Sequence, residues 1–376
     1  MCISLEKKCN GRFDCADQSD EADCNFVIMP KGKYKKSLPP LEDGNSVKLY
    51  VSIILLNVNN IALPSTFDAK IKLIVTWNDY RLKFKDLNDD INIIAEGPRK
   101  AIWIPPLTFS NTISIERLLN DDKTTMDIVK TGNPEYSIPR ELHESVFFKG
   151  SENTIRYARE YQMVFQCNYD LHYYPFDTQI CTIDVEIPEF FNIYMDLLPN
   201  STTNNGSALL DQFLIEKLEI TGERNKTLVK SNIHMKRIPS YYIATTYLPT
   251  FCITLMAIAT LFIDQSHYEA IIAVALTIML VIYTLFQSIS TSMPSTAYLK
   301  LLDYWLIFGM ILPFFVFIFV VVNEIIDQSS DQSVSPRMYP GRDSKGKCIK
   351  AGRCILPIVS FIYIISYIFV VICVSQ

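Results

Sequence analysis

The chain has 376 residues, of which 49% are hydrophobic, and its formal net charge is −5 at pH 7. This length is enough for two domains of roughly 100–200 residues each. The slight acidity gives no reason to expect nucleic acid as a partner, because nucleic-acid-binding domains usually carry a basic patch. Residues before about 240 are mixed and polar, and apolar runs dominate after that point. We therefore expect a polar domain followed by a membrane domain.

The first segment, residues 2–24, is acidic and cysteine-rich and reads CISLEKKCNGRFDCADQSDEADC. Its ending resembles a low-density-lipoprotein-receptor class A repeat, a small module in which disulfides and calcium replace a hydrophobic core. The resemblance implies a Cys9–Cys24 disulfide and leaves Cys2 and Cys15 without their family partners. We expect a partial repeat over residues 1–24, and the alternative is an acidic surface tail.

Calcium takes six to eight oxygen ligands in proteins. The resemblance implies that they come from the carbonyls of Lys7 and Arg12 and from the side chains of Asn10, Asp14, Asp20 and Glu21. Asn10 stands where the family usually carries Asp, which removes one negative charge. No basic-then-apolar leader is visible at the start, so we expect that the sequence lacks its true beginning. Residues 25–45 are expected to form a linker and N-terminal segment.

Short apolar or alternating runs occupy residues 46–238 and are separated by Asn, Pro and Gly. Two of them are Val47–Leu56 and Ala69–Trp77. Runs of this kind predict strands, and many short strands at intervals favour a β-sandwich. Three Asn-X-Ser/Thr sequons lie in the same region and predict surface glycosylation at Asn200, Asn205 and Asn225.

Thirteen residues separate Cys167 from Cys181 in the segment CNYDLHYYPFDTQIC. Two cysteines this close in an extracellular β-rich domain can close a short ring in an oxidising compartment. Inside it, the triplet Pro175-Phe176-Asp177 begins at a position that suits a fixed or cis turn, and Gln179 precedes the closing cysteine. The pattern resembles the signature loop of the Cys-loop receptors, the pentameric ligand-gated ion channels.

Further matches extend this resemblance over residues 46–374, including the motifs Trp77-Asn-Asp-Tyr-Arg81-Leu82 and Trp103–Asn111. The resemblance implies a Cys167–Cys181 disulfide, a homo- or hetero-pentamer and an extracellular small ligand. It also implies a plasma-membrane location, with a synapse as one setting. In this family the agonist lies between subunits in a box of aromatic side chains, which attract ammonium groups through their π faces.

This chain departs from the family pattern at the aromatic box. Lys72 and Ser110 stand where aromatic residues are common, and only Phe190 and Phe191 lie near a suitable place. We therefore expect no quaternary amine as the agonist at an interface between identical subunits. Three alternatives stay open: another ligand, a complementary-only subunit in a heteromer, or gating by protons or a metal. Histidines can sense protons, although packed or surface histidines are more common; the four are His143, His172, His234 and His267.

Four apolar runs, at about 241–263, 270–289, 304–322 and 355–374, approach or reach the roughly 20 residues that span a bilayer. One such run alone can be a buried core helix, but four within residues 239–376 favour a transmembrane domain. Basic residues favour the cytoplasmic side, so the loop 323–354 is expected inside and both termini outside. Its basic residues are Arg337, Arg342, Lys345, Lys347, Lys350 and Arg353. Free thiols are expected at Cys252, Cys348, Cys354 and Cys373.

The second run carries nearly all of its polar residues within an arc of about 100° on a helix. A polar stripe in a membrane must face water or protein. We predict that it lines a pore, in which the apolar ring at Leu280 stops ions by dewetting. The alternative is a helix–helix interface joined by small polar residues. The stripe comprises Glu269, Ala273, Thr277, Leu280, Thr284, Gln287, Ser288 and Thr291.

The inner end of this run reads Tyr268-Glu269-Ala270, whereas anion-selective family members typically have Pro-Ala-Arg. The segment looks like that of the bacterial proton-gated cation channel, and apolar Ile271 replaces the usual basic residue. A ring of Glu269 carboxylates attracts cations, so the sequence favours cation selectivity. The alternatives are an anion-selective channel and a non-conducting auxiliary subunit or surface receptor.

The segment Met235–Tyr242 resembles the family's pre-membrane segment, whose arginine faces the signature loop. The resemblance implies that Arg237 pairs with Asp177, while Pro175 and Phe176 touch the linker around Pro294. The alternative is a static surface pair, worth under about 1 kcal/mol. We identify no nucleophile–base set and no catalytic metal motif, so we expect no enzyme activity and no cofactor for channel function.

Overall fold

The computed structural model describes residues 13–19, 26–30, 32–42, 44–62, 65–89, 92–113, 117–118, 124–135, 146–263, 267–292, 296–331 and 341–375. The chain divides into two compact units. The first comprises Met1–Asn168, Ile180–Leu210 and Ile215–Met235, and the second comprises Tyr169–Gln179, Asp211–Leu214 and Lys236–Gln376. The second unit therefore combines most of the ring between the two cysteines with the C-terminal helices.

Thirteen strands in the described residues build three sheets. In chain order they are β1 (Val27–Ile28), β2 (Val47–Ala62), β3 (Thr66–Trp77), β4 (Lys83–Lys85), β5 (Thr108–Phe109), β6 (Arg117–Leu118), β7 (Thr125–Val129), β8 (Phe147–Lys149), β9 (Thr154–Gln166), β10 (Thr178–Glu186), β11 (Met195–Asn204), β12 (Phe213–Gly222) and β13 (Leu228–Arg237). The six-stranded sheet has the order β11-β2-β3-β9-β6, and β7 also pairs with β9. The four-stranded sheet has the order β12-β13-β10-β5, and the three-stranded sheet has the order β1-β4-β8. A short helix spans Glu96–Ala101.

The predicted β-sandwich is confirmed, and the alternation along β3 explains why this sequence forms it. Every second side chain from Phe67 to Trp77 is buried, and the intervening side chains are partly exposed. One face of the strand therefore enters the core. Phe109 of the four-stranded sheet lies with its ring centroid 5.9 Å from that of Phe165 in the six-stranded sheet. The two sheets thus pack through their apolar faces.

A disulfide joins Cys167, just after β9, to Cys181 in β10, with a Cα–Cα distance of 5.2 Å. It links the six-stranded sheet to the four-stranded sheet. The described residues also include free thiols at Cys15, Cys252, Cys354 and Cys373. The predicted Cys9–Cys24 disulfide and the Cys348 thiol fall outside the residues whose side chains are described.

Within the described part of the second unit, four helices are long and apolar enough to cross a membrane. They are Ser240–Phe262, Tyr268–Ser292, Leu301–Asp331 and Gly341–Ser375, and the four predicted spans fall on them. The third and fourth helices extend into residues 323–354, which the sequence assigned to a loop. The run Asn323–Asp331 contains no Gly or Pro, so nothing in it ends the helix where the apolar run ends.

One face of the second long helix packs against its neighbours. Ile278 and Ile282 form a buried cluster with Ala257 of the first helix, and Met310 of the third packs against it. A buried hydrogen bond from Trp305 Nε1 to Thr250 Oγ1, 2.8 Å long, joins the first and third helices nearby. This packing fixes which side of the second helix faces away from the bundle.

Candidate functional site

Asp177 and Arg237 form a bidentate ion pair inside the second unit. Arg237 Nε donates to Asp177 Oδ1 at 2.7 Å, and a terminal guanidinium nitrogen donates to Oδ2 at 3.1 Å. The backbone N–H of Arg237 also donates to the carbonyl of Asp177 at 3.1 Å. The Arg237 side chain is 0% exposed, and the Asp177 side chain is 2% exposed. The predicted contact is therefore present, and it is buried rather than a surface pair.

Two aromatic rings enclose the Arg237 guanidinium. Its central carbon lies 4.6 Å from the centroid of Tyr174 and 4.3 Å from that of Phe213. A remaining N–H group donates to Gln212 Oε1 at 3.2 Å. Burying a charge is costly unless it is paired and hydrogen-bonded, and cation–π contacts are strongest when water is excluded. These neighbours offset part of the cost of burying the two charges.

Gln179 holds the carboxylate from the other side. Its Nε2 donates to Asp177 Oδ2, and its Oε1 accepts the backbone N–H of Asp170 at 2.9 Å. Gln179 thus joins Asp170, near the start of the segment between the two cysteines, to the Asp177 carboxylate. This gives a structural role to a residue that the sequence marked only as part of the motif.

The ring between the cysteines also contacts the segment before the third long helix. Tyr298 accepts the backbone N–H of Leu171 at 3.0 Å, and its ring stacks on His172 with centroids 3.8 Å apart. The carbonyl of His172 accepts the N–H of Leu301 at 2.7 Å. Asp170 Oδ1 lies 2.6 Å from His172 Nδ1. Hydrogen bonds from the backbone and ring of His172 lower the pKa of the Asp170 carboxyl.

The structure shows contacts of the disulfide-closed segment that the sequence did not predict. Pro175 follows a cis peptide bond, and the ring of Phe176 lies 6.0 Å from that of Tyr247 in the first long helix. Pro294 lies outside the described residues, so the predicted contact with it stays a prediction. The described contacts with the linker come from Leu171 and His172, which both touch Tyr298. Sequence reasoning named His172 only as a candidate proton sensor, and it missed these contacts and the aromatic pair around Arg237 because no motif marks them.

The polar stripe of the second long helix lies on its exposed side in a single chain. Its eight members are all exposed, including Leu280 at 63%, whereas Ile278 and Ile282 on the packed side are buried. Several stripe hydroxyls donate to carbonyls of their own helix, such as Thr277 Oγ1 to the Ala273 carbonyl at 2.7 Å.

Among the described residues, no hydrogen bond or ring contact joins Lys72, Ser110 and the Phe190–Phe191 pair. Phe190 and Phe191 lie in the turn after β10, with ring centroids 5.2 Å apart. Lys72 is in the middle of β3 opposite Glu160. Ser110 follows β5, and its N–H donates to the Asp184 carbonyl at 3.2 Å.

The predicted calcium site lies mostly outside the described residues. Asn10, Asp20 and Glu21 are not described, and Asp14 is exposed. The three glycosylation sequons are described, and Asn200, Asn205 and Asn225 are all exposed. Calcium binding and glycosylation both stay predictions.

Comparison with known proteins identifies two matching families. Residues 28–248 match the neurotransmitter-gated ion-channel ligand binding domain, and residues 1–24 match the low-density lipoprotein receptor domain class A. The first match covers more than half of the chain, and its boundaries enclose the sandwich, the disulfide and Arg237.

Individual relatives are distant. The gamma-aminobutyric acid receptor subunit beta-like of Drosophila melanogaster is 24% identical over 298 residues, which cover 74% of this chain and 53% of that protein. The human gamma-aminobutyric acid receptor subunit rho-2 is 22% identical over 302 residues (77% of this chain, 59% of that protein). The glutamate-gated chloride channel of Drosophila melanogaster is 22% identical over 309 residues (76% and 63%). The matches thus span less than two thirds of each relative.

Proposed function

This chain belongs to the neurotransmitter-gated ion-channel family, and we propose that it is a subunit of a pentameric, plasma-membrane channel opened by an extracellular ligand. The observation that carries the proposal is the buried Asp177–Arg237 pair. Arg237 lies just before the first membrane-capable helix, and Asp177 lies in a ring that also contacts the segment before the third. A change in the ring can therefore move both helices.

The exposed stripe of the second long helix supports a pore lined by five copies of that helix. Closed rings are the common symmetry of soluble and membrane oligomers, and an exposed polar stripe in a membrane needs water or protein beside it. In such a ring, the hydroxyls lie on either side of an apolar constriction at Leu280. This constriction is the proposed gate, since a narrow apolar ring excludes ions by dewetting.

The relatives favour anion conduction, in contrast to the cation selectivity that the sequence predicted. One of them is named a glutamate-gated chloride channel. In this chain the N-terminus of the second long helix carries a partial positive charge, which attracts anions. His267 lies exposed beside that N-terminus. Cation conduction is the second candidate, because the exposed Glu269 carboxylate is next to that end.

Reversal potentials distinguish the two candidates. In oocytes, anion conduction predicts a shift when external chloride is replaced by gluconate and none when sodium is replaced. A shift with sodium alone supports the cation candidate, and Glu269→Gln should then reduce it. Insensitivity to both replacements, with current present, argues against a small-ion channel.

The agonist that best fits this chain carries a carboxylate. The names of the relatives refer to γ-aminobutyric acid and glutamate, and Lys72 places a cation where an aromatic residue is common. An ammonium paired with a carboxylate gives a charge-assisted hydrogen bond.

We also propose that both termini are extracellular, that the basic residues near Arg353 face the cytoplasm, and that the exposed sequons carry glycans. The N-terminal repeat is proposed to bind calcium.

A further inference from the structure

The first unit contains a cavity of about 530 Å³. Its walls are the segment 33–41, the turn after β3 and the turn after β10. Cavities of a few hundred cubic ångströms with mixed apolar and polar walls are typical of small-molecule sites. It shares Phe190 and Phe191 with the predicted interfacial box, but neither Lys72 nor Ser110 lines it.

The wall formed by residues 33–41 is held in place by a buried network. Asp79, fully buried, accepts two hydrogen bonds of 2.8 Å from Arg81. Arg81 also donates to the carbonyl of Leu38 at 2.8 Å. Tyr34 donates to Asp79 at 3.1 Å and accepts the N–H of Trp103 at 2.9 Å. Burial raises the pKa of Tyr34 to about 12, so the phenol keeps the proton that it donates.

The charge of the cavity is positive. Lys33, Lys35 and Arg81 line it, and its lining contains no Asp or Glu among the described residues. Arg81 is already neutralised by Asp79. The ammonium groups of Lys33 and Lys35 have no ion-pair or hydrogen-bond partner within the described part of the chain. Two cations facing a shared space favour an anionic ligand.

The opposite wall is aromatic. Phe190 is 78% exposed, and Tyr80 and Tyr194 are also exposed, although all three line the cavity. The ring of Phe191 meets that of Phe190 edge-to-face, with an interplanar angle of 86°. Large aromatic side chains that stay exposed around a cavity are typical of binding sites, and they favour a flat ring as the ligand.

We propose that this cavity binds a small organic anion that carries an aromatic ring, such as an aryl carboxylate. The carboxylate lies between Lys33 and Lys35, and the ring packs on Phe190 and the neighbouring tyrosines. The site lies within one subunit, and it differs from the predicted interfacial box in placing the carboxylate at Lys33 and Lys35 instead of Lys72.

Calorimetry on the purified full chain in detergent tests this site without any current. The probe is indole-3-acetate, and tryptamine is the matched control ligand because it has the same ring and the opposite charge. We expect indole-3-acetate to bind with a dissociation constant below about 1 mM and tryptamine not to bind. Equal binding of both ligands, or binding of neither, overturns the proposal.

Substitutions at the cavity test whether indole-3-acetate binds there. The double variant Lys33→Gln/Lys35→Gln should weaken indole-3-acetate roughly tenfold, and Phe190→Leu should weaken it roughly fivefold. The control is Lys36→Gln, because Lys36 does not line the cavity and its Nζ donates to the Lys100 carbonyl at 2.7 Å. The melting temperatures of all variants should match that of the unmodified chain.

Two results overturn the location. One is an equal loss of binding in Lys36→Gln, which indicates attraction by general surface charge. The other is a loss in Lys72→Gln without a loss in Lys33→Gln/Lys35→Gln, which places the anion at the interfacial box. Because the readout is binding, a silent channel does not affect either result.

Discussion

Arg237 pairs with Asp177 through two hydrogen bonds, although their side chains are only 0% and 2% exposed. The pair spans 60 residues of sequence and connects the end of β13 to the ring closed by Cys167 and Cys181. A buried ion pair is weak support for net stability, but breaking it leaves an uncompensated charge. The stability cost of substituting one partner is therefore expected to depend on whether the other is still charged.

A charge swap tests this mutual dependence. Asp177→Asn or Arg237→Gln alone should each destabilise the chain by about 3–5 kcal/mol, because one buried charge loses its partner. The double swap Asp177→Arg/Arg237→Asp should recover part of that loss and part of the current. Thermal melting and oocyte currents measure the two effects.

The exposed pair Lys226–Asp196, with an N–O distance of 3.2 Å, is the matched control. Asp196→Asn should cost under about 1 kcal/mol, as surface ion pairs do. If Asp177→Asn costs no more than Asp196→Asn and leaves currents intact, the buried pair has no coupling role.

Two variants of Tyr298 distinguish its hydrogen bond to the segment between Cys167 and Cys181 from its stacking on His172. Tyr298→Phe removes the acceptor for the Leu171 N–H but keeps the ring on His172. Tyr298→Leu removes both. We expect a small rightward shift of the agonist concentration–response curve for Phe and a larger one for Leu. Equal curves for the two variants and the unmodified channel would show that this contact does not transmit gating.

The Asp170 carboxyl predicts a pH dependence with a definite sign. Hydrogen bonds from His172 lower its pKa in the folded chain. The ionised carboxylate therefore stabilises the fold above its unfolded pKa of about 3.9, and this contribution is lost as pH falls through the lowered value. Asp170→Asn should melt below the unmodified chain at about pH 7, and the gap should close at about pH 2. A gap that is constant over this range contradicts the assignment.

Local pattern explains which parts of the fold the sequence predicts. The alternation in β3 identifies a strand and its buried face, and the pairing of Asp177 with Arg237 follows from a family motif. The aromatic enclosure of Arg237 is different, because Phe213 lies on another strand and carries no periodic signal. The stack of His172 on Tyr298 joins residues that are 126 positions apart, which local reasoning does not reach. The third helix continues past its predicted span because Asn323–Asp331 contains no Gly or Pro, whereas hydropathy reports only the length of the apolar run.

Leu280 provides the most direct test of the proposed channel, because its substitution needs no knowledge of the agonist. Leu280→Ser replaces the apolar constriction by a hydroxyl ring, so the closed pore should hydrate and leak. The matched control is Leu285→Ser, which makes the same substitution on another face of the helix.

The decisive measurement is the agonist-free current of surface-delivered Leu280→Ser in oocytes under voltage clamp. We predict a standing current that is absent from uninjected cells, from the unmodified chain and from Leu285→Ser. A silent Leu280→Ser at the cell surface, or an equal leak through Leu285→Ser, would contradict a pore lined by the second long helix.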